Sequence, residues 1–147
     1  MMVNAELVRE RIGKLDEYLR LLERYQRWGV ARLTSDRIVY GGVLHYLQLS
    51  AQIVLDVSAH LNAELNVERA SGYREAVRSL GDVGVLPPDF AARVAELAGF
   101  RNVLVHEYLT IDPLKAQEAL DAGLDDLRAF VVYVTDYLKE EGTIQRE

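Results

Sequence analysis

Apolar residues recur every three or four positions along almost the whole chain, and this spacing restricts the fold more than any other feature. Such a period is typical of helices that pack one apolar face against other helices. It predicts long helices over residues 5–27 and 36–63, a third from 88 to between 106 and 109, and a fourth over 113–138. The first of these carries its apolar positions at Val8, Ile12, Leu15, Leu19 and Leu22. We therefore expect an all-α antiparallel bundle with four main helices.

Residues that cap or break helices separate these segments. Gly29 is predicted to end the first helix, and a short additional helix is predicted over 71–80. Side chains that accept hydrogen bonds from the first turn of a helix precede four of the five segments, at Asn4, Ser35, Ser71 and Asp112. The expected architecture is thus four main helices plus one short helix, with short connections.

Length and composition predict one domain. A chain of 147 residues with 50% hydrophobic residues and three prolines suits one hydrophobic core, so residues 1–147 are predicted to form a single domain. Zero cysteines exclude disulfide scaffolds and cysteine-ligated metals. No uninterrupted apolar run approaches the roughly 20 residues of a membrane span. The early charged residues also argue against a signal peptide, so we expect a cytoplasmic protein.

The charge is distributed unevenly along the chain. Residues 1–40 carry eight Lys or Arg and six Asp or Glu, a net of +2, whereas residues 41–147 carry nine and seventeen, a net of −8. The total of −6 therefore excludes a broadly basic coat protein but not an RNA partner. The basic residues of the first segment form either a local basic strip or solvated helix faces paired with acidic residues.

The three histidines do not form an evident metal site. His60 is followed one helical turn later by Glu64, and one such pair is weaker evidence for a metal than for an exposed ion pair. The sequence also has no Gly-rich phosphate loop and no Gly-x-Ser-x-Gly elbow. The sequence therefore predicts neither a bound metal nor a cofactor.

The segment Gly99–Tyr108 holds the most informative polar residues. Asn102 and His106 are four residues apart and share one face of the predicted helix, whereas Arg101 lies about 140° away from His106. If two copies met across a two-fold axis, two arginines and two histidines would line one cleft. Arginine suits a phosphate group and histidine suits proton transfer near neutral pH, a combination that serves RNA cleavage without a metal.

A second interpretation of the same segment is structural. Polar residues at the end of an apolar helix are common, and Arg101 would then pair with an acidic side chain while His106 capped the helix. Spacing alone leaves both interpretations open.

The run Arg-Asn-x-x-x-His-x-Tyr at residues 101–108 resembles the signature of the HEPN superfamily, and specifically of the HepT toxins. The resemblance extends to the second helix near residues 47–61, to the short helix and turn over 71–87, and to residues 108–112, where the motif ends. It covers roughly residues 38–138. Relatives usually carry an acidic residue where this chain has Gln52.

The resemblance implies a specific biochemistry. HepT-like proteins are all-α homodimers that act as metal-independent ribonuclease toxins, and a minimal nucleotidyltransferase antitoxin neutralises them by transferring AMP onto the motif tyrosine. By position, Arg101 and His106 take the catalytic roles, Asn102 is the supporting polar residue and Tyr108 is the AMP acceptor. The implied partners are an RNA substrate, the antitoxin and a second copy of the chain, without DNA, membrane, metal or cofactor.

Two other functions remain open at this stage. The same bundle would also serve as a nuclease-weak interaction module that docks a nucleotidyltransferase or binds a nucleotide. The third interpretation is a helical dimer that a buried polar patch stabilises.

Overall fold

The computed structural model describes residues 4–65, 72–106 and 110–146, and these residues are helical apart from short connections, with no β-strand among them. The predicted all-α bundle is confirmed. The described residues form seven α-helices and one π-helical segment, which are α1 Ala5–Glu23, α2 Val30–Thr34, α3 Arg37–Glu64, α4 Tyr73–Asp82, α5 Pro88–His106, α6 Pro113–Glu118, the π-helical segment Ala119–Gly123 and α7 Leu124–Arg146.

The core occupies the space between the four long helices. Helix α3 packs against α1, α4 and α5, and α1 also packs against α7. All five apolar positions predicted for α1 are buried, with Leu15 fully inaccessible. Helix α3 is long and apolar enough to cross a membrane by composition alone, with a mean hydropathy of 1.3 over its most apolar window. The central helix of a bundle shares that property, and α3 buries eleven residues against its neighbours.

The predicted caps of α1 and α6 are confirmed. The Asn4 side chain accepts a hydrogen bond from the backbone N–H of Leu7 at 3.2 Å, and α1 begins at the next residue. The Asp112 side chain accepts from the N–H of Leu114 at 3.0 Å, with Pro113 as the first residue of α6. Asx side chains thus satisfy donors that the first helical turn leaves unpaired.

The predicted cap of α3 is wrong by one residue. Asp36 caps α3 by accepting from two backbone N–H groups, whereas Ser35 ends the preceding helix α2. The Ser35 hydroxyl donates back to the carbonyl of Arg32 at 2.6 Å and so is occupied by α2. The predicted cap of α4, Ser71, lies outside the described residues, and Gly72 directly precedes the helix.

The first helix ends earlier than predicted. Helix α1 stops at Glu23, and Gly29, with φ of 85°, leads into the short helix α2 that the sequence pattern did not indicate. Arg27 adopts a φ of 65° in the connection, and its N–H donates to Asp121 Oδ1 at 2.9 Å. A contact 94 residues away in sequence therefore holds this turn.

The last predicted helix is not continuous. The π-helical segment separates α6 from α7, and Gln26 of the α1–α2 connection donates through Nε2 to the carbonyl of Leu120 within it at 3.0 Å. Side-chain insertion of this kind is a common cause of a local change in helical hydrogen bonding. The apolar period continues through the π-helical segment, so the sequence pattern predicted one continuous helix over residues 113–138.

Helix α4 is fixed against both of its neighbours. Asn62 of α3, which is buried, donates through Nδ2 to the carbonyl of Ala76 at 2.7 Å. A Cβ atom on Gly81 would lie 3.0 Å from Pro88 Cα and 3.1 Å from Ala91 Cβ, so the missing side chain permits the close approach of α4 to α5. These contacts place α4 beside the helix that carries the candidate site.

Candidate functional site at the end of α5

Helix α5 presents a buried face to the bundle and a polar end to the surface. Its buried residues follow the helical period and are Phe90, Ala91, Val94, Ala95, Ala98, Gly99 and Leu104. Arg101 and Asn102 are half-buried, and His106, the last residue of the helix, is exposed. The helix therefore delivers these three polar side chains to its C-terminal end.

Arg101 and Asn102 contact each other directly. Arg101 donates through Nη1 to Oδ1 of Asn102 at 3.2 Å. Residues 102 and 106 are one turn apart on the same face, whereas position 101 itself points elsewhere. The hydrogen bond thus directs the Arg101 guanidinium towards the face of α5 that carries Asn102 and His106.

The guanidinium of Arg101 has unused hydrogen-bonding capacity. Its Nε is buried and has no hydrogen-bond partner, and no carboxylate among the described residues lies within ion-pair distance of it. A buried donor of a charged group is costly to leave unpaired. The structural interpretation of this helix end required an acidic partner for Arg101, and the described residues supply none.

The fourth predicted site residue, Tyr108, lies outside the described residues, together with the neighbouring Glu107 and Leu109. Its role as the acceptor of AMP stays a prediction. The described part of the chain resumes at residue 110, and α6 begins at Pro113.

Two residues of α4 that the motif did not indicate lie beside α5. The side chains of Tyr73 and Arg74 pass directly over Gly99, three residues before Asn102. Glu96 of α5 pairs with Arg74 at 3.6 Å and with Arg78 at 3.3 Å. The sequence feature that indicates a close contact here is a glycine within a helix. The glycine does not identify which residues pack against it.

A second group of polar residues lies along α3. Gln52 donates through Nε2 to Asp56 Oδ1 at 2.8 Å, so a carboxylate lies one turn from the position that is usually acidic in relatives. His60 and Glu64 do pair, with Nε2 and Oε1 3.7 Å apart, but their side chains are only 25% and 17% exposed, so the expectation of an exposed pair was wrong. Over the described ranges, no group of three or more His, Asp or Glu side chains is arranged to hold a metal ion.

Solved structures with the same arrangement of helices place the fold in a known class. The cytosolic protein YutE of Bacillus subtilis superposes with a TM-score of 0.82 at 18% identity, over 95% of this chain and 94% of that one. A toxin–antitoxin structure with AMP-PNP gives 0.80 at 14% identity, over 89% and 98% of the two chains. A tri-AMPylated HEPN toxin of Shewanella oneidensis in complex with its MNT antitoxin gives 0.77 at 15% identity, over 88% and 96%. The class is that of the helical bundle that these three proteins share.

Sequence comparison narrows the class to a family. Residues 15–134 match the Ribonuclease HepT-like family. A protein of Aphanizomenon flos-aquae (strain 2012/KM1/D3) named tRNA nuclease HepT is 31% identical over 124 residues, which cover 84% of this chain and 74% of the relative. The chain belongs to the Ribonuclease HepT-like family, and the resemblance drawn from residues 101–108 is confirmed.

Proposed function

We propose that this protein is the toxin of a toxin–antitoxin system and a ribonuclease whose site comprises Arg101, Asn102 and His106. The observation that carries the proposal is the hydrogen bond from Arg101 to Asn102, which turns a guanidinium towards the face of His106. Membership of the Ribonuclease HepT-like family and a relative named tRNA nuclease support the same activity. We take tRNA as the substrate class to test first.

The proposed reaction needs one base, one acid and one cation. A neutral His106 imidazole takes the proton of a ribose 2′-OH, the 2′ oxygen attacks the adjacent phosphorus, and the bond from phosphorus to the 5′ oxygen breaks. A protonated imidazole returns a proton to the leaving 5′ oxygen, which yields a 2′,3′-cyclic phosphate and a 5′-OH. Arg101 stabilises the negative charge that develops on the phosphate oxygens. These groups fill all three roles, so we propose that no divalent ion is required.

We propose that the active form is a two-fold homodimer. Each chain supplies one histidine at the end of α5, whereas the reaction uses a base and an acid at the same phosphate. A second copy related by a two-fold axis supplies the other His106 and a second Arg101 in one cleft. Within each copy, the continuous core from Val8 to Leu138 supports a single domain over residues 1–147.

We further propose that a minimal nucleotidyltransferase antitoxin neutralises the nuclease by transferring AMP from ATP to Tyr108. The phenol oxygen bonds to the α-phosphorus, pyrophosphate leaves and the phenol loses its proton. The similar structures with AMP-PNP and with a tri-AMPylated toxin bound to MNT antitoxin support this regulation. We propose a cytoplasmic location, which the description of the similar protein YutE as cytosolic supports.

The test is tRNA cleavage in the presence of EDTA by the wild-type protein and by His106→Ala. Loss of the acid–base group is expected to lower kcat by about 10²-fold or more. His45→Ala is the matched control, since His45 is also exposed and lies on α3. Cleavage that EDTA abolishes rejects metal independence, and equal activity of the two variants rejects the role of His106.

A second candidate function is a nuclease-weak module that docks the nucleotidyltransferase. The net charge of −8 over residues 41–147 favours it, because that charge repels RNA. Wild-type protein that binds the antitoxin but does not cleave tRNA at any salt concentration would establish this second function in place of the first.

A further inference from the structure

Helix α4 contributes two side chains that lie against the candidate site helix. A Cβ atom on Gly99 would be 3.3 Å from Arg74 Nε, 3.4 Å from Arg74 Nη2 and 3.4 Å from Tyr73 Cε2. The shortest of these distances is tighter than most carbon contacts, so a methyl group at position 99 would require Arg74 to shift by a few tenths of an ångström. The glycine therefore makes room for an aromatic ring and a guanidinium on the surface of α5.

The position of Gly99 relates this contact to the candidate site. On a regular helix, Asn102 lies within about 60° of Gly99 and His106 within about 20°, at rises of about 4.5 Å and about 10.5 Å. Gly99, Asn102 and His106 thus form one stripe along α5. The first turn of α4 begins at Tyr73 and lies beside this stripe at Gly99. The two α4 side chains lie at the border of the stripe that leads to His106.

Two arginines at this border share one ion-pair partner. Arg74 and Arg78 both pair with the carboxylate of Glu96. The Arg74 side chain is 55% exposed and its ion pair is the longer of the two, at 3.6 Å. An open depression of about 340 Å³ adjoins it, lined by Gly72, Tyr73, Arg74 and Glu75. Solvent and ligands therefore have access to both Tyr73 and Arg74.

We propose that Tyr73 and Arg74 form a subsite for an RNA nucleotide that flanks the cleaved phosphate. Arg74 binds the backbone phosphate of that nucleotide, and the Tyr73 ring stacks on its base. Aromatic rings beside guanidinium groups are the usual means by which proteins hold single-stranded RNA, because stacking and charge act together. The proposal rests on the proposed ribonuclease function, and it adds residues of a second helix to the motif residues of α5.

The test compares Arg74→Ala with Arg78→Ala. Both variants remove one positive charge from the same helix and from the same Glu96 carboxylate, and Arg78 is equally exposed, at 54%. Binding of a labelled tRNA is measured in the His106→Ala background, in which the RNA stays intact. Arg74→Ala is expected to raise Kd about tenfold and to reduce the slope of log Kd against log salt by about 1, the change for one lost phosphate contact. Arg78→Ala is expected to leave both quantities near those of the parent.

Two variants of Tyr73 test the stacking contact separately from the charge of Arg74. Tyr73→Phe keeps the ring and is expected to bind like the parent, whereas Tyr73→Ala is expected to raise Kd about fivefold or more. Circular dichroism and unfolding midpoints of each variant identify any loss of binding that comes from misfolding.

The outcomes distinguish this subsite from the function on which it rests. If the wild-type protein cleaves tRNA but Arg74→Ala and Arg78→Ala weaken binding equally, only the subsite is rejected. If Arg74→Ala weakens binding of the nucleotidyltransferase and not of tRNA, the surface docks protein and the subsite is rejected as well. If the wild-type protein neither binds nor cleaves tRNA, both proposals fall together.

Discussion

Arg101 donates a hydrogen bond from Nη1 to Oδ1 of its direct sequence neighbour Asn102, at 3.2 Å. Consecutive residues of a helix diverge by about 100°, so this contact requires the long arginine side chain to bend around the helix. Asn102 shares its face of α5 with His106, one turn later. We propose that Asn102 is a positioning residue that brings the guanidinium of Arg101 towards the proposed proton-transfer group.

Asn102→Ala is expected to lower kcat/KM for tRNA cleavage by about tenfold, because hydrogen bonds to charged groups contribute about 1.5–3 kcal/mol. The reason is the loss of guanidinium orientation, so the effect should depend on Arg101. A double-mutant cycle with Arg101→Lys measures that dependence. We expect the double variant to be little worse than Arg101→Lys alone. Additive losses would show that Asn102 acts independently of Arg101.

Gly81→Ala is expected to destabilise the protein by about 1–3 kcal/mol, the usual cost of overpacking a close contact. The added methyl group would meet Pro88 and Ala91, at the contact that holds α4 on α5. The control is Gly13→Ala in α1, where an added Cβ meets no atom within 4 Å and alanine favours the helix by up to about 1 kcal/mol. Urea unfolding midpoints should therefore move in opposite directions. A Gly81→Ala midpoint equal to that of Gly13→Ala would contradict the close approach.

Asn62→Ala is expected to lower the free energy of unfolding by about 1–3 kcal/mol, because a buried interhelical hydrogen bond is lost. Its Nδ2 donates to the Ala76 carbonyl at 2.7 Å and links α3 to α4. Gln52→Ala serves as the control, since Gln52 donates to Asp56 within the same helix α3, and its loss should change stability by about 0.5 kcal/mol or less. Chemical denaturation of both variants checks the difference, and equal losses would show that the α3–α4 link adds no stability.

The apolar period predicted the core of α1 completely because each buried position depends only on the spacing along one helix. Val8, Ile12 and Leu15 are examples, and all are buried as predicted. The interruption at residues 119–123 coincides instead with contacts to the α1–α2 connection, where Gln26 donates to the Leu120 carbonyl and the Arg27 N–H donates to Asp121, each across 94 residues of sequence. Local periodicity carries no information about such contacts.

The candidate site also combines residues that a local motif indicates with residues that only tertiary packing brings close. Arg101, Asn102 and His106 belong to one short motif and lie on the last turns of α5, where Arg101 bonds to Asn102, and their roles stay predictions. Arg74 was not predicted, because its position over Gly99 follows from how α4 packs on α5. A motif identifies residues of one element, whereas a neighbouring element enters the site only through tertiary packing.

The last prediction concerns Tyr108, which lies outside the described residues and is the proposed acceptor of AMP. Tyr108→Phe preserves the aromatic ring and removes only the hydroxyl oxygen that would bond to the α-phosphorus. We expect this variant to remain an active ribonuclease and to acquire no AMP when it is incubated with the nucleotidyltransferase and ATP. Wild-type protein treated in the same way should gain AMP and lose activity, because the attached phosphate competes with RNA for Arg101.

Intact-mass measurement of the treated proteins decides which tyrosine accepts AMP. Tyr133→Phe is the matched control, because Tyr133 is an exposed tyrosine on α7 that is 37% accessible. That control should gain the same mass as the wild-type protein and lose its activity in parallel, whereas Tyr108→Phe should keep its mass and its activity. An adduct of unchanged size and stoichiometry on Tyr108→Phe would eliminate Tyr108 as the acceptor, since the phenylalanine ring offers no oxygen for the new bond to phosphorus.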